Sequence, residues 1–521
     1  MEIFGSLVGG LGQLGDPWLW SYVLIGTLVG VIGGAMPGMG TTLLYGMFLP
    51  FTFVMEPHHA VAFLLSISVG VGFGNSIPAI LLGIPGTPSA VLTVIDGHTL
   101  HKQGKSGLAL GASFISALSG QTVSILFFVV LIVPLMDMAY KFLYPELFAL
   151  YLLGILAIVS LTGDNMLKGL MAAGFGFAIA MIGLDPVNLT TRFTFDQRIL
   201  RSGVNLTAVL IGLLAVSEIF RSFRQSFNWS VPDGADLGDQ KFPTRSEIRG
   251  MVPAAMTGTV VGTFVGAIPG AGATPAALIS YQAAQLLSRT PEQFGKGSVE
   301  GIAANEAAQN ASNSGELIPT LGLGVPGSSS MVLLLSALTV QGFVPGPLMV
   351  SKSPDLLYAA IAGMLAATVI LAATGWFMSS VMLRAVSINR SAVLILSLAT
   401  VILGVFSLNT RIIDVAVMLI AGGIGYLMLR YGYSTAAAAL ACVLGGEVER
   451  SLRLGLNLSN GDPLTFVSRP ITATILLVTV AILAFGVYRH RQMKRKMRAS
   501  DNLDSAKAMR SARAVTGSEA E

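Results

Sequence analysis

The feature that most constrains this chain is the length of its uncharged runs. Residues 17–55 and 250–288 contain no Asp, Glu, Lys or Arg, and each run is far longer than the roughly 20 apolar residues that one bilayer crossing needs. Only 11% of the residues are charged and the mean hydropathy is +0.73, so the chain has too little polar surface to coat a soluble globule. Further uncharged runs lie at residues 57–95, 106–136, 317–351 and 356–383.

Lipid is therefore the expected solvent, and the bilayer then selects the fold class. Every backbone amide in hydrocarbon needs a hydrogen-bond partner, and an α-helix supplies all of these partners within one segment. The sequence predicts an all-α polytopic membrane protein with roughly ten to twelve spans.

The net charge of +4 comes from the C-terminal tail. From Arg489 onward nine Lys or Arg face four acids, which gives +5, so the rest of the chain sums to −1. A basic cluster directly after an apolar span indicates a cytoplasmic C-terminus by the positive-inside rule. Nucleic acid is not an expected partner. The single cysteine, Cys442, excludes an internal disulfide.

Two motifs occur twice, in the same order. Residues 26–42 (GTLVGVIGGAMPGMGTT) and 258–274 (GTVVGTFVGAIPGAGAT) are identical at ten of seventeen positions. Residues 74–89 (GNSIPAILLGIPGTPS) and 315–330 (GELIPTLGLGVPGSSS) are identical at eight of sixteen. The offsets, 232 and 241 residues, are nearly equal and indicate two homologous halves. We expect a first membrane repeat at 1–220, a polar linker at 221–249, a second membrane repeat at 250–488 and a basic cytoplasmic tail at 489–521.

Each motif interrupts an apolar run with a Pro-Gly pair. Proline ends a helix and glycine permits a sharp turn, so a helix, a break and a half-helix are expected at all four positions. Irregular backbone at membrane depth is tolerated only beside protein or a water-filled cavity. A half-helix that begins there directs its free N–H groups and its positive end at an anion, and freed carbonyls can bind Na⁺.

These paired breaks predict the transport site. We expect them to converge near the bilayer midplane about a pseudo-two-fold axis, and we favour inverted over parallel repeats. The candidate substrate- or ion-binding residues at the breaks are Pro37, Gly38, Gly40, Thr41, Thr42, Asn75, Ser76, Pro85, Gly86, Thr87, Pro269, Gly270, Gly272, Thr274, Pro326, Gly327 and Ser328.

Six further glycines have a simpler explanation. Successive GxxxG steps let helix backbones approach closely and need no ligand. We therefore interpret Gly26, Gly30, Gly34, Gly258, Gly262 and Gly266 as packing residues.

Ionisable residues inside apolar segments are functional candidates by default. Helical spacing places Glu306, Asn310 and Asn313 on one face shortly before the fourth break. Glu306 and Asn310 are therefore added to the site, with an exposed loop acid as the alternative for Glu306. We expect Asp96 to cap a turn, and Asp164, Asp185 and Arg192 to end loops. The pairs His58/His59 and His98/His101 lack further ligands for a metal site, so no metal is expected.

The chain resembles the large membrane subunit, TctA-like, of the tripartite tricarboxylate transporter family. The motifs that carry the resemblance cover nearly the whole chain up to the tail: GAMPGMGTTLLYG, SIPAILLGIPGTPSAVLTVIDG, QGKSGLAL, RFTF, GAIPGAGATPAALISY, FGKGSVEGIAANEAAQNA, LIPTLGLGVPGSSS and GFVPGPL. The resemblance implies ion-driven carboxylate uptake across a bacterial inner membrane, a small membrane subunit and a periplasmic solute-binding protein. Gly83, Asn75 and Gln309 depart from the family pattern, which leaves the carboxylate open.

Other classes of function stay open to different degrees. An intramembrane enzyme is not supported, because the sequence contains no HExxH motif, no GxSxG motif and no acid pair at fixed spacing. A stand-alone secondary transporter or a channel for another organic anion could use the same broken helices. An anion that enters against a negative-inside potential meets about 2.3 kcal/mol per charge per 100 mV, so co-transport of Na⁺ or H⁺ is expected, with no other cofactor.

Overall fold

The computed structural model describes residues 11–139, 141–161, 166–185, 188, 190–201, 203–226, 241–343, 346, 352–386, 390–484 and 486–487. In chain order the α-helices and strands are α1 (Pro17–Ala35), α2 (Thr41–Thr52), α3 (Pro57–Gly74), α4 (Ser76–Leu81), α5 (Val91–Thr93), α6 (Thr99–Lys102), α7 (Ser106–Ala139), α8 (Tyr144–Leu161), α9 (Met166–Ala180), β1 (Gly183–Leu184), β2 (Thr191–Arg192), α10 (Leu206–Ile211), α11 (Ser217–Ser226), α12 (Arg245–Gly266), α13 (Ala273–Leu287), α14 (Val299–Leu323), α15 (Ser329–Val340), α16 (Pro354–Val386), α17 (Arg390–Asn409), α18 (Ile412–Arg430), α19 (Thr435–Leu458) and α20 (Thr465–Ser468). Short 3₁₀ turns lie at Gly12–Gly15, Pro88–Ala90, Arg198–Leu200 and Pro291–Gln293, and π-helical turns at Val94–His98 and Gly212–Val216.

The predicted fold class is confirmed, because the described residues are almost entirely helical. The two short strands pair antiparallel, with Gly183 opposite Arg192. Among the described residues, eight helical segments are long and apolar enough to cross a membrane: Pro17–Ala35, Pro57–Leu81, Ser106–Ile132, Leu206–Arg224, Arg245–Gly266, Pro354–Phe377, Ser391–Asn409 and Ile412–Arg430. Four shorter apolar helices are Tyr144–Ser160, Met166–Ala180, Ser329–Val340 and Pro470–Ala484. The estimate of ten to twelve spans is reached only if some of the shorter helices also cross.

Two of the 39-residue uncharged runs fold as two helices joined by a turn. Residues 17–55 contain α1 and α2, and residues 250–288 contain the end of α12 and all of α13. The interruption falls at the Pro-Gly pair in both cases. The largest buried cluster surrounds these turns and includes Leu43, Leu214 and Leu333.

One end of the helix bundle is defined by Asp16, and we call it the Asp16 end. The first helix, α1, begins there after Asp16, which lies 2.7 Å from the His59 ring at the start of α3. The chain returns to this end after α2, because α2 ends at Thr52 and α3 begins five residues later, with His59 beside Asp16. Hence α2 leads from the break back towards the end at which α1 began.

The opposite end is defined by Lys105, and we call it the Lys105 end. The span Pro57–Leu81 crosses to this end, where the His98 ring lies 3.0 Å from Ile80 O and Gln103 reaches Lys296 O. Pro243, just before α12, packs against Gly111. The helices α1 and α12 therefore begin at opposite ends of the bundle.

Close helix packing uses the GxxxG glycines of both halves in matching ways. A methyl group built on Gly30 would lie 2.3 Å from Ile67 O, and one built on Gly262 would lie 2.4 Å from Ala308 O. No side chain fits at such a separation, so these backbones touch directly. The interpretation of these glycines as packing residues agrees with the contacts that α1 makes with α3 and α12 makes with α14.

Several expected segments lie partly or wholly outside the described residues. Of the expected linker, residues 221–226 continue α11 and Arg245 begins α12, while residues 227–240 are not described. The tail from 489, Asp164 and most of the GFVPGPL motif are also outside the described part. The side chain of Cys442 is buried and forms no disulfide.

Candidate functional site: a cavity between four interrupted helices

Four helical segments begin at the four Pro-Gly breaks, and none of the four N-termini is capped by a side chain. They are α2, the helical run over residues 88–102, α13 and α15, with Gly40, Thr87, Gly272 and Ser328 as the preceding residues. The first N–H groups of a helix have no partner within it. By contrast, five helices that begin elsewhere are capped by side-chain oxygens of Asp16, Asn205, Thr244, Ser298 and Ser434.

The turns before these helices require glycine at equivalent positions of the two halves. Gly38 and Gly270 have φ of +80° and +75°, a left-handed conformation that favours glycine. The Gly38 N–H donates to Gly86 O at 3.1 Å, which joins the first break to the second. The turn and not the ligand therefore explains why these two positions are glycine.

The N-termini surround a cavity of about 200 Å³. At roughly 30 Å³ per water molecule, it has room for about six or seven waters or for a small organic acid. Its lining is rich in hydroxyl and amide groups and holds one ionisable residue, Glu316, with no Lys, Arg or His. The lining residues are Gly40, Thr41, Thr42, Ser68, Val71, Gly72, Asn75, Thr87, Pro88, Ser89, Ala273, Thr274, Gln309, Asn313, Glu316, Ser328 and Ser330.

Two further cavities adjoin this central cavity and share lining residues with it. One, of about 380 Å³, includes Gly270, Gly272 and Thr274. The other, of about 210 Å³, runs from Gly38, Gly86 and Thr87 to Arg221. Because the side chains at Thr42 border all three, the breaks of both halves face connected space.

Most predicted site residues lie at these cavities, and a few lie behind them. The central cavity is lined by Gly40, Thr41, Thr42, Asn75, Thr87, Thr274 and Ser328, while Gly38, Gly86, Gly270 and Gly272 line the adjoining ones. The buried residues Ser76, Glu306, Asn310 and Gly327 support the wall without lining it. Pro37, Pro85, Pro269 and Pro326 form the turns and line none of the three cavities.

Glu306 is fully buried on α14, so the alternative of an exposed loop acid is wrong. Ser76 Oγ donates to Glu306 Oε2 at 2.5 Å, Thr93 Oγ1 donates to Oε1, and Gln309 Nε2 donates to Oε1 at 3.3 Å. Asn310 Nδ2 donates to the Glu306 carbonyl at 2.9 Å. Glu306 contacts the cavity wall through Gln309, which lines the cavity and accepts a 2.7 Å hydrogen bond from Ser89, and through Ser76, which lies next to Asn75.

Glu316 is the one ionisable residue that lines this cavity, and it was not among the predicted site residues. Its Oε2 accepts a hydrogen bond from Ser328 Oγ at 2.5 Å, and Ser328 in turn lies 2.9 Å from Ser330 Oγ. The sequence signal was present, because the repeat alignment places Glu316 opposite Asn75, which was in the predicted site. On α14 the residues that line the cavity are Gln309, Asn313 and Glu316, which lie one, two and nearly three turns after Glu306.

Asp96 caps a turn, as expected, but this turn is not the one beside Gly97 in its own segment. Asp96 is fully buried, and its Oδ1 accepts 2.9 Å hydrogen bonds from the N–H groups of Gly295, Gly297 and Ser298. Tyr281 Oη donates to Oδ2 at 2.7 Å. One carboxylate thus ties the chain after the second break to the start of α14.

Arg192 and Asp185 do more than end loops, because they share an ion-pair network with α19. Arg192 forms two hydrogen bonds with Glu449, at 2.8 and 3.0 Å. Arg453 lies 2.9 Å from Asp185 and 2.6 Å from Glu449. This network holds the β1–β2 turn onto α19.

Within the described residues, one group of side chains has the composition of a metal site. Asp16, His58 and His59 place potential ligand atoms within 4.8 Å of one another. The 2.7 Å hydrogen bond between His59 and Asp16, and the Trp18 N–H that Asp16 caps at 2.9 Å, give the cluster a structural role at the Asp16 end.

Interrupted helices whose N-termini enclose a polar cavity are the architecture of a membrane transporter. Comparison with known proteins gives the particular family. The chain belongs to the tripartite tricarboxylate transporter TctA family, whose model matches residues 21–440.

Two similar proteins come from Agrobacterium vitis. An uncharacterized 52.8 kDa protein in the TAR-I ttuC' 3' region is 33% identical over 478 residues, which cover 92% of this chain and 94% of that protein. An uncharacterized protein in the TAR-II ttuC' 3' region is 32% identical over 215 residues, or 41% of this chain and 89% of that protein. No solved structure matches the chain.

Proposed function

We propose that this chain is the large permease subunit of a binding-protein-dependent tripartite transporter and carries out ion-coupled uptake of a small di- or tricarboxylate. The observation that carries the proposal is the convergence of four uncapped helix N-termini on a cavity without Lys, Arg or His. Such N-termini bind anions through backbone N–H groups and the helix dipole. The hydroxyl groups of Thr41 and Thr42 supply further donors.

The two halves are proposed to be inverted repeats about a pseudo-two-fold axis. Support comes from α1 and α12, which have similar sequences but begin at opposite ends of the bundle, and from the matching approach of Gly30 and Gly262 to the next helix. Inverted repeats around a fixed site permit alternating access by rocking of one part against another.

The Lys105 end is proposed to face the cytoplasm of a bacterial inner membrane. Lys102, Lys105 and Lys296 lie there, in agreement with the positive-inside rule. Thr207 contacts Ser336 near the Asp16 end, so the span Leu206–Arg224 carries Arg221 towards the opposite side. A cavity of about 210 Å³ lined by residues of the breaks and by Arg221 lies on this side, which supports access to the site from the proposed cytoplasmic face.

The coupling ion is proposed to be Na⁺ or H⁺. The candidate groups from the sequence are Glu306 and the backbone carbonyls around Gly38, Gly40, Gly270 and Gly272. Glu306 lies behind the cavity wall and contacts it through Gln309 and Ser76. Both kinds of group are therefore within reach of a bound anion, directly or through one side chain.

The proposed partners are a small membrane subunit and a periplasmic solute-binding protein, in keeping with the tripartite family to which the chain belongs. A stand-alone transporter or channel for another organic anion is the alternative, since the cavity itself contains nothing specific to a binding protein.

Reconstitution tests the proposal. Proteoliposomes that contain this chain with the small membrane subunit should accumulate a labelled di- or tricarboxylate when the binding protein, the substrate and an inward Na⁺ or H⁺ gradient are all present. Omission of the binding protein should stop uptake. Uptake that needs neither the partners nor a gradient would establish the alternative, and no uptake from a panel of carboxylates would contradict the proposal.

A further inference from the structure

We propose that the central cavity has two unlike sides: Na⁺ binds beside Glu316 in the second half, and the substrate carboxylate binds beside Asn75 in the first half. The inference deepens the function proposed above and rests on it for the substrate side. Asn75 and Glu316 occupy equivalent positions of the two repeated motifs.

The backbone around the two positions is nearly the same. A methyl group built on Gly86 would lie 2.8 Å from Asn75 Cα, and one built on Gly327 would lie 2.8 Å from Glu316 Cα. Thr87 and Ser89 are linked at 2.9 Å, as are Ser328 and Ser330. The neutral Asn75 and the acidic Glu316 therefore occupy equivalent places beside equivalent helix N-termini.

Electrostatics gives these two places different ligands. At the N-terminus of α15, Glu316 already supplies the negative group that a helix N-terminus favours, through the hydrogen bond from Ser328. At the N-terminus after Thr87, Asn75 supplies no charge. A substrate carboxylate is favoured there and is repelled from Glu316 unless a cation lies between them.

The donors around Glu316 suit a small hard cation. Glu316 Oε2 and the hydroxyl oxygens of Ser328 and Ser330 form an oxygen-only set, and no nitrogen or sulfur side chain other than the amides of Asn75, Gln309 and Asn313 lines the cavity. Among the hydrogen bonds of the described residues, none reaches Glu316 Oε1, which faces Gly272 at the cavity. Oxygen donors and freed carbonyls are the ligands of Na⁺ in broken-helix transporters.

Glu306 differs from Glu316 in the hydrogen bonds of its carboxylate and in its position relative to the cavity. Its two carboxylate oxygens already accept from Ser76, Thr93 and Gln309, and it does not line the cavity. We therefore assign Glu306 as a positioning residue that orients Gln309 and Ser76, and Glu316 as the group that contacts the cation.

The test measures Na⁺ binding by the purified full-length chain, without any partner. Thermal unfolding in detergent is followed in NaCl and in choline chloride at equal ionic strength, with ²²Na⁺ binding as the second readout. Wild type and the control Glu292→Gln, whose exposed carboxylate lies outside the cavity, should bind Na⁺ and melt higher in NaCl, because a ligand that binds only the folded state raises its stability. Glu316→Gln should lose both effects, and Glu316→Asp should retain part of them.

Outcomes of this test are decisive in both directions. Na⁺ binding by Glu316→Gln at the wild-type level would overturn the assignment. A wild-type protein whose thermal midpoint responds to pH and not to Na⁺ would also overturn it, because the proton would then be the ligand. If Glu316→Gln fails to fold, Asn75→Glu still tests the idea: it should keep Na⁺ binding and lower carboxylate uptake by more than about tenfold, because a second acid repels the substrate. Na⁺ binding at Glu316 without carboxylate uptake by the reconstituted complex would leave the cation site standing and remove the proposed function.

Discussion

The Pro-Gly breaks at residues 37–40 and 85–88 share part of their backbone geometry with the breaks at residues 269–272 and 326–329, but the side chains that face the cavity differ. Glycine meets a neighbouring Cα at equivalent places, at Gly86 beside Asn75 and at Gly327 beside Glu316. The wall of the first half offers Ser68 and Gly72, where the second half offers Gln309 and Asn313. The residues that the halves share build the turns, and the residues that differ give the cavity an acidic and a neutral side.

The strongest way to break this comparison is to fill the shared backbone turns. A methyl group on Gly40 would lie 3.4 Å from Thr87 Cγ2, and one on Gly272 would lie 3.6 Å from Ser328 Cβ. A first carbon fits at both sites, but a leucine side chain would extend into the space where ligand meets backbone. Gly40→Leu and Gly272→Leu should therefore abolish uptake in proteoliposomes while membrane insertion persists.

Conformation separates the two variants further. Gly272 has φ of +68°, so any side chain there adds strain of about 1–2 kcal/mol, whereas Gly40 has φ of −78° and accepts a side chain without strain. Gly174→Leu is the matched control, because Gly174 has no neighbour within 4 Å and is exposed. Normal uptake by both cavity variants would contradict the site.

A second test asks which acid of the second half couples the cation. Under the assignment of Na⁺ to Glu316, Glu306→Gln should lower the uptake rate, because Ser76 and Thr93 lose a charged acceptor, but should keep a steep dependence on external Na⁺. If protons are the coupling ion and Glu306 carries them, the same variant should abolish uptake or make it insensitive to the pH gradient.

Uptake with each gradient imposed separately distinguishes these results. Glu292→Gln serves as the control, since Glu292 is an exposed acid on the turn before α14. A Glu306→Gln protein that matches wild type under both gradients would remove Glu306 from the mechanism altogether.

The comparison also shows what the sequence could and could not predict. The breaks were predictable because a Pro-Gly pair inside an apolar run is a local sequence signal. The membrane class was predictable because the length of an uncharged run is also a local signal. The acid of α14 that lines the cavity was not predictable, because Glu306 and Glu316 lie ten residues apart on one helix, and the packing of that helix against α7 and α12 decides which part of it borders the cavity. The turn that Asp96 caps was not predictable, because its partners lie about 200 residues away, at Gly295 and Ser298.

A third prediction concerns the long-range contact between Asp96 and the backbone of residues 295–298. Asp96→Asn replaces one oxygen of a carboxylate that accepts four hydrogen bonds, three of them from backbone N–H groups. Loss of charge-assisted bonds to a buried group should destabilise the protein by about 1–3 kcal/mol. The measurement is the thermal midpoint of the purified protein in detergent.

Tyr281→Phe is the control for that variant, because it removes only the Oη donor to Asp96. It should cost about 1 kcal/mol and therefore lower the midpoint less than Asp96→Asn does. An Asp96→Asn protein as stable as wild type would show that the backbone of residues 295–298 holds its shape without the carboxylate.

The smallest expected effect lies at the start of the first half, where a titratable cap distinguishes α1 from α12. The hydrogen bond with the His59 ring, together with the Trp18 N–H, lowers the pKa of the Asp16 carboxyl from its ordinary value. That pKa is lower in the folded than in the unfolded chain. The Asp16 carboxylate therefore stabilises the fold at pH values above its unfolded pKa of about 3.9, and this stabilisation is lost as the pH falls through the folded pKa. Asn remains a good N-cap, so Asp16→Asn should remove only the charge and cost about 1 kcal/mol or less at neutral pH, with a midpoint that converges on that of wild type in acid. A midpoint difference that stays constant from neutral pH to acid would show that the carboxylate charge of Asp16 contributes nothing and that the cap alone holds α1.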